Sequence, residues 1–540
     1  MKRLCIVVLL LIFAFNGNVK AQDLKSIRNE SIKYQRLMSM LDVMYVDSVN
    51  LHQLTEKAIV GVLSNLDPHS VYISKEEVDD MNEPLEGGFY GIGIQFSIIR
   101  DTLVVMDVVS GGPSQKLGML PHDRIIEIDG ENVAGINMSN KGVRSRLKGE
   151  KNTIVNLIIL RNGEKIPFKI KRDKIPLTSI DAAYMIDDKI GYINISRFAA
   201  TTIEEFETSI RELINLGMKD LIIDLQSNGG GFMKAAIGIA DHLMNGEKLV
   251  VYTKGRADGR QDFFEKYNGL FETGRVAILI DSHSASASEI LSGAIQDWDR
   301  GVIVGRRSFG KGLVQRQYPL TDGSMVRITT AHYYTPSGRC IQKAYTKGDD
   351  LDYELEVYKR NSELVNADSI HVIDSLKYKT LVLGRTVYGG GGIIPDVFVP
   401  IDTNINYRYS NFLSAKNIIG DFVTSYVDKN RSDLIKKYKT FENFNKNYTV
   451  SSSMIEQLIG NGKKAGINAE RKFIDPVLPT IKLTIKSVVA RSLWGTDKFF
   501  IVNNRDNKAL KAAVKALKDG EYEKILELNQ SINKYIKKNK

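Results

Sequence analysis

The chain has 540 residues, 43% of them hydrophobic and 26% charged, with two cysteines and a net charge of +10. That profile fits a globular protein of three or four domains. It excludes a long disordered chain, a disulfide-built scaffold and a bundle of membrane helices.

In chain order, Lys2 and Arg3 precede an apolar run over residues 5–15, and Val19-Lys20-Ala21 places small or modest side chains ahead of Gln22. This pattern predicts a secretory signal over residues 1–21, cleaved before Gln22. The run is shorter than the ~20 residues a spanning helix needs, which disfavours a retained anchor. An exported, periplasmic chain is expected, with association to a membrane left open. Removing the signal leaves Cys340 alone, so no intramolecular disulfide can form and stability must come from packing.

Residues 22–83 read as helical, with Leu37, Leu41, Met44 and then Leu51, Leu54, Ala58, Val62 near a 3.6 period. Leu66-Asp67-Pro68 ends the pattern, because proline disfavours helix at the residue before it. Residues 84–172 turn to strands and glycines, beginning with Gly87-Gly88-Phe89-Tyr90-Gly91-Ile92-Gly93-Ile94. Strand-like runs at 103–109, 123–129 and 153–159 and a helix at 140–147 follow. Residues 173–402 alternate strand and helix, the pattern of a layered α/β domain. Residues 221–225, 276–280 and 302–304 are continuous apolar runs suited to a buried sheet, and Asp322-Gly323 joins two runs as a hairpin. Residues 346–385 are charged and weakly patterned, consistent with a helical excursion. Residues 403–540 are mostly helical and hold 26 Lys and Arg against 13 Asp and Glu, so the rest of the chain is slightly acidic. The basic residues are scattered without aromatic platforms, which reads as a solvated helical face; no nucleic acid is expected.

Three segments invite chemistry. Gly305-Arg306-Arg307-Ser308-Phe309-Gly310-Lys311-Gly312 nearly spells a phosphate-binding loop, but Gly312 lacks the hydroxyl and a strand, not a helix, follows. What survives is a lysine held between glycines. Ser282-His283-Ser284-Ala285-Ser286-Ala287-Ser288-Glu289 lies where a strand hands over to a helix, so it either caps that helix or presents a hydroxyl beside backbone N–H donors. Asp224-Leu225-Gln226-Ser227-Asn228-Gly229-Gly230-Gly231 follows a buried strand, and its glycines either allow close approach of a ligand or make a tight turn. Cys340, His283 and His332 are weaker candidates: Cys340 has no designated base, and His283 is too close along the turn to reach Ser286 easily.

Ser-Ala-Ser-Ala-Ser-Glu, Phe-Gly-Lys-Gly-x-x-x-Gln and Thr335-Pro336-Ser337-Gly338-Arg339 occur in that order. Leu66-Asp67-Pro68-His69-Ser70 and Phe89-Tyr90-Gly91-Ile92-Gly93-Ile94 precede them, and Gly-Gly-Ile-x-Pro-Asp follows near 391–396. Together they resemble the C-terminal processing peptidases, family S41. The resemblance implies a multidomain α+β protein, with a crotonase- or ClpP-like α/β protease core, an inserted PDZ domain and flanking helical regions. It implies Ser286 as nucleophile, Lys311 as general base and Gln315 as the residue orienting the lysine. Ala287 N–H and a glycine N–H, taken as that of Gly230, would form the oxyanion hole. The amides of Tyr90, Gly91, Ile92, Gly93 and Ile94 would take the free C-terminus of a protein or peptide substrate. No metal or cofactor is implied. An adaptor, or self-association through the helical regions, would be a further partner. The sequence departs from the family where Gln226 and Gly229 stand for the usual Arg and Pro, which puts the activation switch in doubt but not the dyad. The alternatives are a PDZ-containing scaffold without catalysis and an acyl-CoA enzyme on a related core. The joint presence of Ser286, Lys311 and Gln315 argues against the first, and export against the second.

Overall fold

A computed structural model describes residues 21–526, apart from 100, 110, 122, 162, 267, 404 and 405. The expected secretory signal, and Cys5 within it, lie outside the described residues apart from its last residue. Among the described residues no helix is long and apolar enough to cross a membrane.

The core of residues 173–402 is a six-stranded sheet. Ile190–Ile195, Asp220–Asp224, Arg275–Ile280, Val302–Gly305 and Val397–Phe398 run parallel in that spatial order, and Ile180–Met185 joins antiparallel at one edge. Continuous burial along the central strands matches their unbroken apolar sequences. One face is covered by the helices Thr202–Asn215, Met233–Leu243 and Ala287–Asp297, through Phe206, Ile210, Ile239, Leu243, Leu291 and Ala294. The other face is covered from far along the chain. Helix Lys508–Lys518 sets Leu510, Ala513 and Leu517 against Tyr192, Ile222, Leu279 and Val304. Its apolar stripe is therefore core, while its lysines face out, as an amphipathic helix requires.

A second sheet holds Leu249–Gly255, Gly259–Phe264, Leu313–Pro319 and Met325–Tyr334. Leu313–Pro319 and Met325–Tyr334 form the expected hairpin, closed by Leu320 and Ser324 around Asp322-Gly323. The N-terminal region corrects one expectation. It is helical over Ala21–Met44, Leu51–Leu63 and Lys75–Glu86, but Val71–Ile73 is a strand paired antiparallel with Met325–Tyr334. Three residues carry too little periodicity to be seen; only the partner some 250 residues away makes them a strand.

Between the N-terminal helices and the core lies an antiparallel sheet of Ile94–Ile99, Thr102–Val108, Arg124–Ile128, Ile154–Arg161 and Glu164–Lys171, packed on helix Asn140–Leu147. The chain enters and leaves it through one ribbon, Gly88–Gly91 against Asp173–Pro176. Of residues 346–385, expected as a helical excursion, Asp350–Lys359 is α-helix, while the rest holds two short 3-10 turns and the strand Lys377–Lys379. The basic region builds its own helical core from Val423, Val427, Phe444, Leu458, Ile485 and Val489, among others, before it reaches the sheet.

Candidate active site

Ser286 ends the loop after Arg275–Ile280 and stands at the N-terminus of helix Ala287–Asp297. Its backbone has φ 57° and ψ −114°, a left-handed conformation rarely held by a residue with a Cβ and a common mark of a functional site. Small neighbours make the turn possible. A Cβ on Gly230, whose φ is +100°, would sit 2.7 Å from Ser286 Cβ and 3.0 Å from Ala287 N.

Gln315 approaches from strand Leu313–Pro319 of the second sheet, and Lys311 from the glycine loop just before that strand. Ser286, Lys311 and Gln315 line one cavity of about 490 Å³, together with Gly229, Gly230, Gly231, Gln317 and Arg327. Ser286 Oγ and Lys311 Nζ are not hydrogen-bonded to each other in this structure; catalytic hydrogen bonds often tighten only around a substrate.

A residue passed over in the sequence joins the two loops. Glu289 is fully buried. Its Oε2 accepts the N–H of Ser286 at 2.8 Å and of Lys311 at 2.9 Å, and its Oε1 accepts the N–H of Gly310 at 2.7 Å and the hydroxyl of Ser308 at 2.5 Å. Burial raises its carboxyl above the usual range, against these donors, which favour the anion. The signal was present as the acidic residue three positions into the helix, but it resembled an ordinary cap.

Asp67 supports Gln315 from behind. Asp67 Oδ1 accepts the hydroxyl of Thr329 at 2.9 Å and the N–H groups of His69 and Ser70 at 3.0 and 3.1 Å. Thr329 Oγ1 in turn accepts Gln315 Nε2 at 3.5 Å. Burial, followed by the Arg327 charge, brings the Lys311 amine down to about 8. Burial and the Lys311 charge push the His69 imidazole down to about 3, so it stays neutral beside Tyr353 OH, 3.1 Å away.

The remaining candidates fall as follows. Ala287 N–H donates to no described group. Gly230 adjoins Ser286, but its N–H is donated to Asn228 Oδ1 at 2.8 Å, so that amide is occupied in this state. His283 has a 60% exposed side chain beside Asp281. His332 faces Cys340 Sγ at 4.0 Å, and neither of these lines the cavity. Gln226 accepts Asn507 Nδ2 at 2.9 Å, so the position expected to carry an arginine is held instead by the C-terminal region. Arg339 is buried against Gln296 and the Tyr388 carbonyl, a structural role for the Thr-Pro-Ser-Gly-Arg segment.

A groove of about 540 Å³ is lined by Gly91, Ile92, Gly93 and Ile94, with Arg144 and Lys148 at its side. Tyr90 does not line it; its strand position is paired with Lys174. Helix Lys75–Glu86 contributes Asp80, Glu83 and Pro84 to this groove, and Asn82, Leu85 and Glu86 to the cavity beside Ser286. Lys148 ties the helix to the groove through Glu83, and through Asp80 at 3.1 Å.

Residues 189–352 match the family model "Peptidase family S41", residues 91–171 match "PDZ domain", and residues 409–495 match "Family of unknown function (DUF8443)". The chain is 35% identical over 338 residues to the carboxy-terminal-processing protease of Bartonella bacilliformis, covering 60% of this chain and 76% of that protein. It is 33% identical over 316 residues to the carboxy-terminal processing protease CtpB of Bacillus subtilis, covering 58% and 65%. Among solved structures, the photosystem II D1 C-terminal processing protease is similar at 26% identity and a TM-score of 0.33, covering 58% of this chain and 90% of that one.

Proposed function

Because this chain belongs to the carboxy-terminal-processing proteases of peptidase family S41 and carries their PDZ domain, we propose that it is an exported endopeptidase acting through a Ser286–Lys311 dyad. The observation that carries this reading is the arrival of Ser286, Lys311 and Gln315 at one cavity from two different sheets, with Glu289 binding both loops.

A serine hydroxyl attacks a peptide carbonyl only when a base removes its proton. Lys311 as an ammonium cannot do so; as a neutral amine it can. A buried site that brings this amine to about 8 keeps an appreciable neutral fraction near neutral pH. Gln315, held by Thr329 and Asp67, orients the amine without adding charge. Ser286 Oγ forms the acyl-enzyme, and Lys311 returns its proton to the leaving amine. Ala287 N–H takes the developing oxyanion at the start of its helix. Gly230 N–H joins it once Asn228 Oδ1 gives it up.

The chain end of the substrate enters the groove beside residues 91–94, adding a strand to the sheet edge while Arg144 and Lys148 favour its carboxylate. Export rests on the pattern of residues 1–21, and the helical regions remain the place for an adaptor or a second copy.

A fluorophosphonate incubated with the active enzyme should abolish proteolysis and mark the peptide that contains Ser286. An enzyme still active after full labelling, or labelled elsewhere, would reject the assignment. A chain that binds C-terminal peptides yet cleaves no unfolded protein would be the scaffold instead. Below pH 8 the ammonium form of Lys311 dominates, so kcat/KM should fall about tenfold per pH unit toward acid and level off above an apparent pKa of about 8. A profile flat from pH 6 to 9 would contradict Lys311 as the base.

A further inference from the structure

Arg327 lines the cavity of Ser286 and Lys311, yet no charge balances it. It sits on Met325–Tyr334, opposite Gln317 in the hairpin, and Thr329, two residues on along the same strand, faces Gln315. Alternation along the strand places Arg327, Thr329, Gln315 and Gln317 on one side, toward the cavity. The guanidinium makes no ion pair among the described residues. Its Nη1 donates only to Met81 Sδ at 3.6 Å, a weak acceptor, and its Nε is buried without a partner. Glu86, the acidic residue among those lining the cavity, is exposed at the rim and is not paired with it. Gln317 Nε2 donates to Asn82 Oδ1 at 3.1 Å, and its Oε1 accepts no hydrogen bond from Arg327.

A half-buried guanidinium lacking an acceptor is costly. It persists where a ligand supplies the acceptor, and a planar fork with two parallel N–H groups fits a carboxylate better than any neutral group. We propose that Arg327 recognises a carboxylate on the substrate beside the scissile bond, so that the enzyme prefers Asp or Glu within two residues of the peptide bond it cuts. This site is separate from the groove at residues 91–94, which holds the chain end. The inference rests on the peptidase reading of Ser286 and Lys311.

The test uses the full-length enzyme and peptides that share one free C-terminus and differ only by Glu or Gln at a single position. That position is moved through the two residues on each side of the cut, which is located by mass spectrometry. At one position at least, Glu should exceed Gln in kcat/KM by about tenfold, the scale of a hydrogen bond to a charged group. Arg327→Gln should bring that ratio to about one, and Arg327→Glu should turn the preference toward Lys at the same position. A ratio near one at every position in the unaltered enzyme overturns the proposal, and that measurement needs no variant to fold. A tenfold preference that survives in Arg327→Gln overturns it as well. Failure of the unaltered enzyme to cleave any of the peptides or an unfolded protein would instead overturn the peptidase reading beneath it.

Discussion

Lys311→Ala is expected to lower kcat/KM on an unfolded protein substrate by about 10³-fold, within the range that a positioned general base contributes. Lys311→Arg should be as poor, since a guanidinium carries its proton at any ordinary pH and cannot accept one from Ser286. Ser286→Ala should fall to the same floor, and the double variant no lower, because groups that act as one unit do not add. Lys311 lines the cavity with its amine already brought to about 8 by burial and by Arg327, so removing it takes away a prepared base and not merely a charge. Initial rates on one substrate for the unaltered enzyme and the four variants provide the check. Appreciable turnover by Lys311→Arg would mean that a different group removes the proton; Glu86 at the cavity rim would be the first candidate, since His283 is exposed away from the cavity and His332 lies at the Cys340 edge.

Glu289→Gln is the second large effect, and it acts without touching substrate. The carboxylate accepts four donors, two on each oxygen, from Ser286, Ser308, Gly310 and Lys311. An amide keeps one acceptor oxygen and turns its NH₂ toward two N–H or O–H donors that then have no acceptor. Each buried donor left unpaired costs about 1–3 kcal/mol, so a loss of about 2–6 kcal/mol in stability is expected for the two. Activity should drop at least about a hundredfold, because the strained turn at Ser286 and the glycine loop at Lys311 lose their shared anchor. Urea unfolding and kcat/KM measured side by side decide the matter. If the variant keeps both, the link between the loops is not what holds them together. If it keeps stability but loses activity, the anchor serves geometry alone.

Much of the site was legible because its chemistry is local in the chain. Ser286 sits in a run of small residues between an apolar strand and a helix, and Lys311 sits between two glycines ahead of an alternating strand. Both patterns are written within a dozen residues. The groove was legible for a similar reason at Gly91, Ile92, Gly93 and Ile94, though Tyr90 went to a neighbouring ribbon because its strand pairs with Lys174. Gly230, taken from the resemblance as an oxyanion-hole donor, adjoins Ser286 in the fold, while the engagement of its N–H by Asn228 depends on a side-chain rotamer that no spacing reveals.

The order of modules, the apolar strands of the central sheet and the helix that follows Ser286 could be read from the sequence alone, and the sequence supplied Ser286 and Lys311 as the pair proposed to act as the dyad. Period and composition report which face of an element is apolar and where a backbone must bend. They do not report which distant surface meets that face. Long-range packing alone sets Val71–Ile73 beside Met325–Tyr334, lets Glu289 bind the serine and lysine loops at once, and lays the basic helix Lys508–Lys518 over the second face of the protease sheet. The same holds for the unbalanced charge of Arg327 inside the catalytic cavity. Apart from the bond between Glu289 and the Ser286 N–H, three residues away, these contacts join residues separated along the chain by some twenty to more than three hundred positions. Their formation is set by the burial and closure of the whole molecule, not by any local preference.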